Sequence, residues 1–180
     1  MIRRLSVSLL GFLFLSLADA PVGRTAPLPP WHGWERVIGD WVGGNSRGVP
    51  GSASSSGFSF RYDLENRVIV RREWADYPAR QGRPAFHHEG LMIVSPGEAG
   101  TPARATAYDN EGHVIEYDYA VSDSQIVFVS LRKEGLPRFR LTYRFEPDRL
   151  AVRFDIAQPG AGDDFQPYVE GTATRAEPAK

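Results

Sequence analysis

Along most of the chain, apolar and polar residues alternate with a period of two, the spacing of a β-strand with one dry and one wet face. Phe58, Phe60, Tyr62 and Leu64 share one face, with Ser59, Arg61 and Asp63 opposite. Val68, Val70, Arg72 and Trp74 alternate with Arg67, Ile69, Arg71 and Glu73. His113, Ile115, Tyr117, Tyr119 and Val121 form a third such row. Phe139, Leu141, Tyr143 and Phe145 form a fourth, and Leu150, Val152, Phe154 and Ile156 a fifth. Gly, Pro, Asn and Asp punctuate the runs. Together they predict about ten strands, near 40–47, 56–64, 67–76, 86–95, 103–109, 112–121, 124–131, 137–145, 149–157 and 165–175.

The connections are too short for crossover helices, so the strands should pair antiparallel in up-and-down order. Each strand has a dry face that needs cover, and only one short helix is available to cover it. It is predicted over Trp31–Ile38, where Trp34, Val37 and Ile38 recur at helical spacing. Closing the sheet on itself buries the dry face and removes both edges. The expected fold is therefore all-β: a closed antiparallel barrel of about ten strands with a short N-terminal helix.

The first residues differ in kind. Arg3 and Arg4 precede an uncharged run, Val7 to Ala18, and small residues follow. The run is shorter than the roughly 20 residues a membrane-spanning helix needs. It reads as a secretory signal over 1–18, cut before Asp19. A proline-rich linker (19–30), the barrel domain (31–176) and a tail (177–180) complete the expected organisation. The expected location is outside the cytoplasm, periplasmic or secreted, with no stable membrane insertion once the signal is gone.

Composition narrows the chemistry. Loss of the signal takes the formal charge from −1 to −3, which gives nucleic acid no electrostatic footing. The chain has no cysteine, which excludes disulfides, thiol catalysis and cysteine-held metal. There is no H-E-x-x-H pair.

Gly39-Asp40-Trp41-Val42-Gly43-Gly44, placed after a short helix, resembles the G-x-W opening of lipocalins and other calycins. The later stretches Tyr108–Ile115 and Arg138–Tyr143 are similar to bacterial lipocalin-like proteins of unassigned function. The resemblance spans residues 31–176. It implies a ligand-holding barrel closed at one end by Trp41, with Arg175 of the last strand packed against it. The haem-binding branch of that superfamily carries a late axial histidine. This chain has no histidine after His113, so no cofactor is expected.

Polar side chains on the dry faces are the candidate ligand-binding set: Arg72, Trp74, Tyr108, His113, Tyr117, Tyr119 and Tyr143. An inward Arg72 requires a carboxylate, from Glu89, Glu170 or the ligand. A metal would need His87 and Glu89 from one strand face joined by His113; the spacing is nonspecific and no metal site is assigned. His113 beside Asp109 or Asp118 would be the base pair of an enzyme, with Asp109 more naturally placed in a turn. The 77–84 and 158–164 segments are candidate mouth loops. The expected partner is a small apolar or amphipathic molecule. The alternatives are an enzyme acting on a bound lipid-like substrate, or a filled structural barrel.

Overall fold

The computed structural model describes residues 31–48, 53–80, 82–97 and 103–177. The expected signal segment, the linker and the tail from residue 178 lie outside the described residues. Among the described residues, no helix is long and apolar enough to cross a membrane.

Ten strands follow one another: β1 (Gly39–Gly48), β2 (Ser55–Asp63), β3 (Val68–Tyr77), β4 (Phe86–Ser95), β5 (Arg104–Asp109), β6 (Val114–Val121), β7 (Gln125–Ser130), β8 (Arg138–Phe145), β9 (Leu150–Ala157) and β10 (Gln166–Arg175). Each pairs antiparallel with its neighbours in sequence, and β10 pairs with β1 to close the barrel. The strands lie close to the positions that alternation predicts, because the same period that marks a strand also sets which face meets the interior.

The expected N-terminal helix is instead a single 3-10 turn, Trp34–Arg36. Gly33 and Gly39 flank it with φ of 86° and 124°, left-handed positions that leave too few residues between them to nucleate an α-helix. The inward face survives the change. Trp34 and Val37 are buried in the barrel end, with the Trp34 ring edge-on to Phe60, Tyr119 and Phe128.

One end of the barrel is thereby shut. Trp31 Nε1 donates to the carbonyl of Asn66 (2.8 Å), and Arg36 donates to that of Asp123 (2.9 Å), tying the plug to two closed-end turns. The Arg175 guanidinium stands 4.6 Å from the centre of the Trp41 ring. It donates to the carbonyls of Ile38 (2.8 Å) and Arg36 (3.1 Å). This is the tryptophan–arginine packing that the calycin resemblance implies. Gly39 is required there: any Cβ on it would lie 2.8 Å from Arg175 Nη1.

The two halves of the interior are filled differently. Towards the closed end, Phe60, Ile69, Val94, Ile126, Phe128, Tyr143 and Leu150 pack into a continuous apolar layer. Towards the other end six inward positions carry small residues: Gly43, Ser56, Ala75, Gly90, Ala107 and Gly171. Side chains of that size cannot meet across a ten-stranded barrel, and the interior stays open.

The 158–165 segment leaves β9 at this open end but does not edge the mouth as expected. It folds back over the outer face. Asp163 pairs with Arg132 (3.2 Å) and with Arg138, while the Arg140 guanidinium covers Phe165 (4.6 Å). Beneath it Asp155, fully buried, takes Arg140 (3.0 Å) and Arg153 (2.6 Å).

Candidate functional site

The open half encloses a cavity of about 570 Å³. That is within the range of small-molecule sites. One wall, from β8, β9 and β10, is apolar: Leu141, Val152, Phe154 and Val169. Phe58 and Met92 add to it near the floor, and the opposite wall, from β3 to β6, carries the charge.

At the floor, β3 sends Arg71 and Glu73 inward on alternate residues, and Arg71 Nη2 donates to Glu73 Oε2. The two differ in access. The Arg71 side chain is 4 % exposed, while Glu73 keeps 33 % of its side-chain surface open. Arg71 lies among the Phe58, Phe60 and Tyr143 rings, 5.6–6.0 Å from their centres. Its charge is therefore held by one carboxylate and three ring faces. Burial alone would push the Glu73 carboxyl up and the Arg71 guanidinium down. Their mutual attraction outweighs it, so Glu73 ends below, and Arg71 above, its ordinary pKa.

Tyr117, buried on β6, stands beside this pair. Its burial, reinforced by Glu73, raises its phenol well above the ordinary value. Tyr143 lies beneath Arg71. Its hydroxyl and Arg71 Nε are buried and, among the described residues, neither meets a partner in hydrogen-bonding geometry.

Nearer the mouth, Asp109 ends β5. Its Oδ1 accepts the backbone N–H groups of Glu111 (3.0 Å) and His113 (2.9 Å), and its Oδ2 meets His113 Nδ1 (2.8 Å). Burial works against the charge on Asp109, but these donors prevail and hold its carboxyl below the ordinary value. His88 Nδ1 faces Glu111 Oε1 at 3.2 Å. Asp109, Glu111 and His113 bring ligand-type atoms within 4.8 Å of one another, an arrangement the hydrogen bonds of the Asp-Asn-x-Gly turn account for. Tyr77, Arg80, Arg83 and Phe86 edge the mouth, so the 77–84 segment lies where expected.

The seven predicted residues are dispersed. Tyr117 reaches the floor and His113 the mouth. Tyr119 is at the closed end, its hydroxyl donating to the carbonyl of Ser95 (3.3 Å), its pKa pushed up to about 12 by burial. Tyr143 is below the floor. Arg72 is a correction: it occupies an outward register position and does not line the cavity. Trp74 and Tyr108 also stand at outward register positions and are about 40 % exposed, yet both line the cavity. The outward positions of Glu89 and His87 likewise dissolve the His87/Glu89/His113 set; His87 pairs with Asp76 (2.7 Å). Glu170, the other carboxylate considered for Arg72, instead faces Arg47 (3.3 Å).

Arg71 and Glu73 were the residues to find, and a signal existed. Asp63 pairs with Val68 across the β2–β3 turn, which places Phe60 opposite Arg71 and Phe58 opposite Glu73. Directly paired residues share a face. The phenylalanines therefore identify Arg71 and Glu73 as inward.

No family model matches the chain. Cytosolic serine hydroxymethyltransferase from Candida glabrata is 28 % identical over 118 residues, covering 59 % of this chain and 24 % of that protein. The chain thus spans about a quarter of that relative's length, and the likeness assigns it no family.

Proposed function

We propose that this chain is an exported binding protein that holds one small amphipathic molecule inside its barrel. The observation that carries the reading is the cavity of about 570 Å³, open at one end, apolar along one wall and ending on a buried ion pair. A ligand's hydrocarbon or aromatic body would lie against Phe58, Leu141, Val152 and Phe154, with its polar group at Glu73 and Tyr117. Burial of apolar area, at roughly 25 cal/mol per Å², supplies affinity, and the few polar groups supply orientation. The open space weighs against a filled structural barrel.

Native mass spectrometry of the protein, secreted by a bacterial host and purified without detergent, tests this reading. A mass excess lost on denaturation, or saturable one-to-one uptake of the neutral fluorophore N-phenyl-1-naphthylamine, is the expected result. A bare polypeptide that also fails to take up the fluorophore would overturn it.

A second reading is an enzyme acting on a bound lipid-like substrate, favoured by His113 on Asp109 at the mouth. It requires that His113→Ala retain fluorophore uptake yet lose turnover of the co-purified molecule.

A further inference from the structure

We infer that the cavity selects an amphiphile whose polar group is a hydrogen-bond donor, above all a primary ammonium, and discriminates against carboxylates. The inference rests on the binding reading above and names the ligand class for the same site. It follows from how the floor ion pair is layered. The charges of Arg71 and Glu73 cancel on paper, but a ligand does not meet them equally. Arg71 is enclosed by Phe58, Phe60 and Tyr143, with 4 % of its side chain exposed. Glu73 keeps a third of its side-chain surface open. Its Oε2 is committed to Arg71, while Oε1 lies over the bare backbone of Gly90. The floor therefore presents an acceptor oxygen held ionised by a cation behind it.

The rest of the polar wall has the same sign. Asp109 and Glu111 line the cavity above Glu73, each already facing a histidine. The lining cations outside the floor are Arg80 and Arg83, both in the exposed segment that follows β3. Tyr77, the last residue of β3, is four residues beyond Glu73, or about 13 Å along the strand, and the arginines lie farther on. They stand on the exposed segment at the mouth, not beside the floor pair. A carboxylate at the floor would be desolvated against Glu73 with no accessible cation. An ammonium would gain a charge-assisted hydrogen bond there, and a hydroxyl a weaker one.

A matched series tests this on the whole protein: decylamine, decanol and decanoic acid displacing N-phenyl-1-naphthylamine at pH 7.5. The amine should half-displace the probe at roughly one-tenth the concentration of the acid or less, with the alcohol between them; a hydrogen bond to a charged group is worth at least that factor. Equal or better displacement by the acid would overturn the inference and leave the binding reading intact. Failure of the probe and all three chains to bind would sink both. In Glu73→Gln the preference for amine should shrink to about two-fold or less; a preference that persists would remove Glu73 as its source. The wild-type series decides the question even where that variant fails to fold.

Discussion

Glu73 lies across Gly90, its partner on β4, so closely that a Cβ on Gly90 would stand 2.8 Å from Glu73 Oε1 and 3.0 Å from its Cγ. Glycine at this position makes room for the carboxylate that faces the cavity. Gly90→Ala should push the Glu73 side chain aside without unfolding the barrel, since the obstructing atoms belong to a flexible side chain. The chain-entropy gain of about 0.4–1 kcal/mol for Gly→Ala works in the opposite direction. The expected outcome is a melting temperature within a few degrees of wild type, with several-fold weaker binding of the amine. Thermal melts beside fluorophore displacement check it; unchanged affinity would mean that Gly90 does not place the carboxylate.

The Arg71–Glu73 pair should respond unequally to loss of either partner. Glu73→Ala strands an enclosed guanidinium, a defect of about 3–5 kcal/mol. Arg71→Met leaves a carboxylate that cavity water can solvate, and its flexible thioether can fill the space among the three rings. Its expected cost is smaller, about 1–3 kcal/mol. Urea unfolding of the two variants measures the difference. Equal losses would show that Glu73 is as enclosed as Arg71.

Strand positions were legible in the sequence because alternation is a local property. The inward row of β3 was not, because Val68 and Val70 compete with Ile69 for the interior, and both rows carry an arginine. Only pairing with β2, fixed by the four residues between Asp63 and Val68, separates them. The same limit applies to Trp74 and Tyr108: large aromatic side chains suggest burial, but register turns them outward. The cavity itself was hidden for a different reason. It arises from small inward residues scattered over six strands, and no single stretch of sequence contains that pattern.

Acid should destabilise the fold over a definite window. Glu73 and Asp109 have folded pKa values below their ordinary 4.5 and 3.8. A carboxyl shifted down binds its proton more weakly in the folded state than in the unfolded chain. Its contribution is complete above the ordinary value and is lost as pH falls through the folded one. Melting temperature should therefore be flat from about pH 5 to about 9 and fall progressively below about 4.5. Asp76 and Glu146 are also shifted down, through His87 and Ser55 in one case and Arg149 and Arg144 in the other. Both are half-buried, but their partners His87, Arg144 and Arg149 are exposed while Arg71 is enclosed, so added salt should reduce their share more than that of Glu73. Asp109→Asn keeps an oxygen for the two backbone N–H groups, so it should fold and show a shallower acid limb. An unaltered limb would exclude Asp109 from the linkage.

Arg175 and Trp41 should hold the closed end without touching the ligand. Arg175→Ala removes a stacked cation, about 0.5–2 kcal/mol, and frees the carbonyls of Ile38 and Arg36. With bonds from a charged donor worth about 1.5–3 kcal/mol, a total loss of about 2–4 kcal/mol is expected. Arg175→Lys should recover only part, since an ammonium cannot serve both carbonyls from a flat group lying on the indole. Urea midpoints, with near-ultraviolet circular dichroism reporting on Trp41, check this order. The layer of Phe60, Phe128 and Tyr143 separates this end from the cavity floor. Binding of the amine should therefore survive in Arg175→Ala at concentrations of urea where the variant is still folded. If affinity falls in step with stability, the two ends of the barrel are coupled, and that packed layer transmits what happens at the plug.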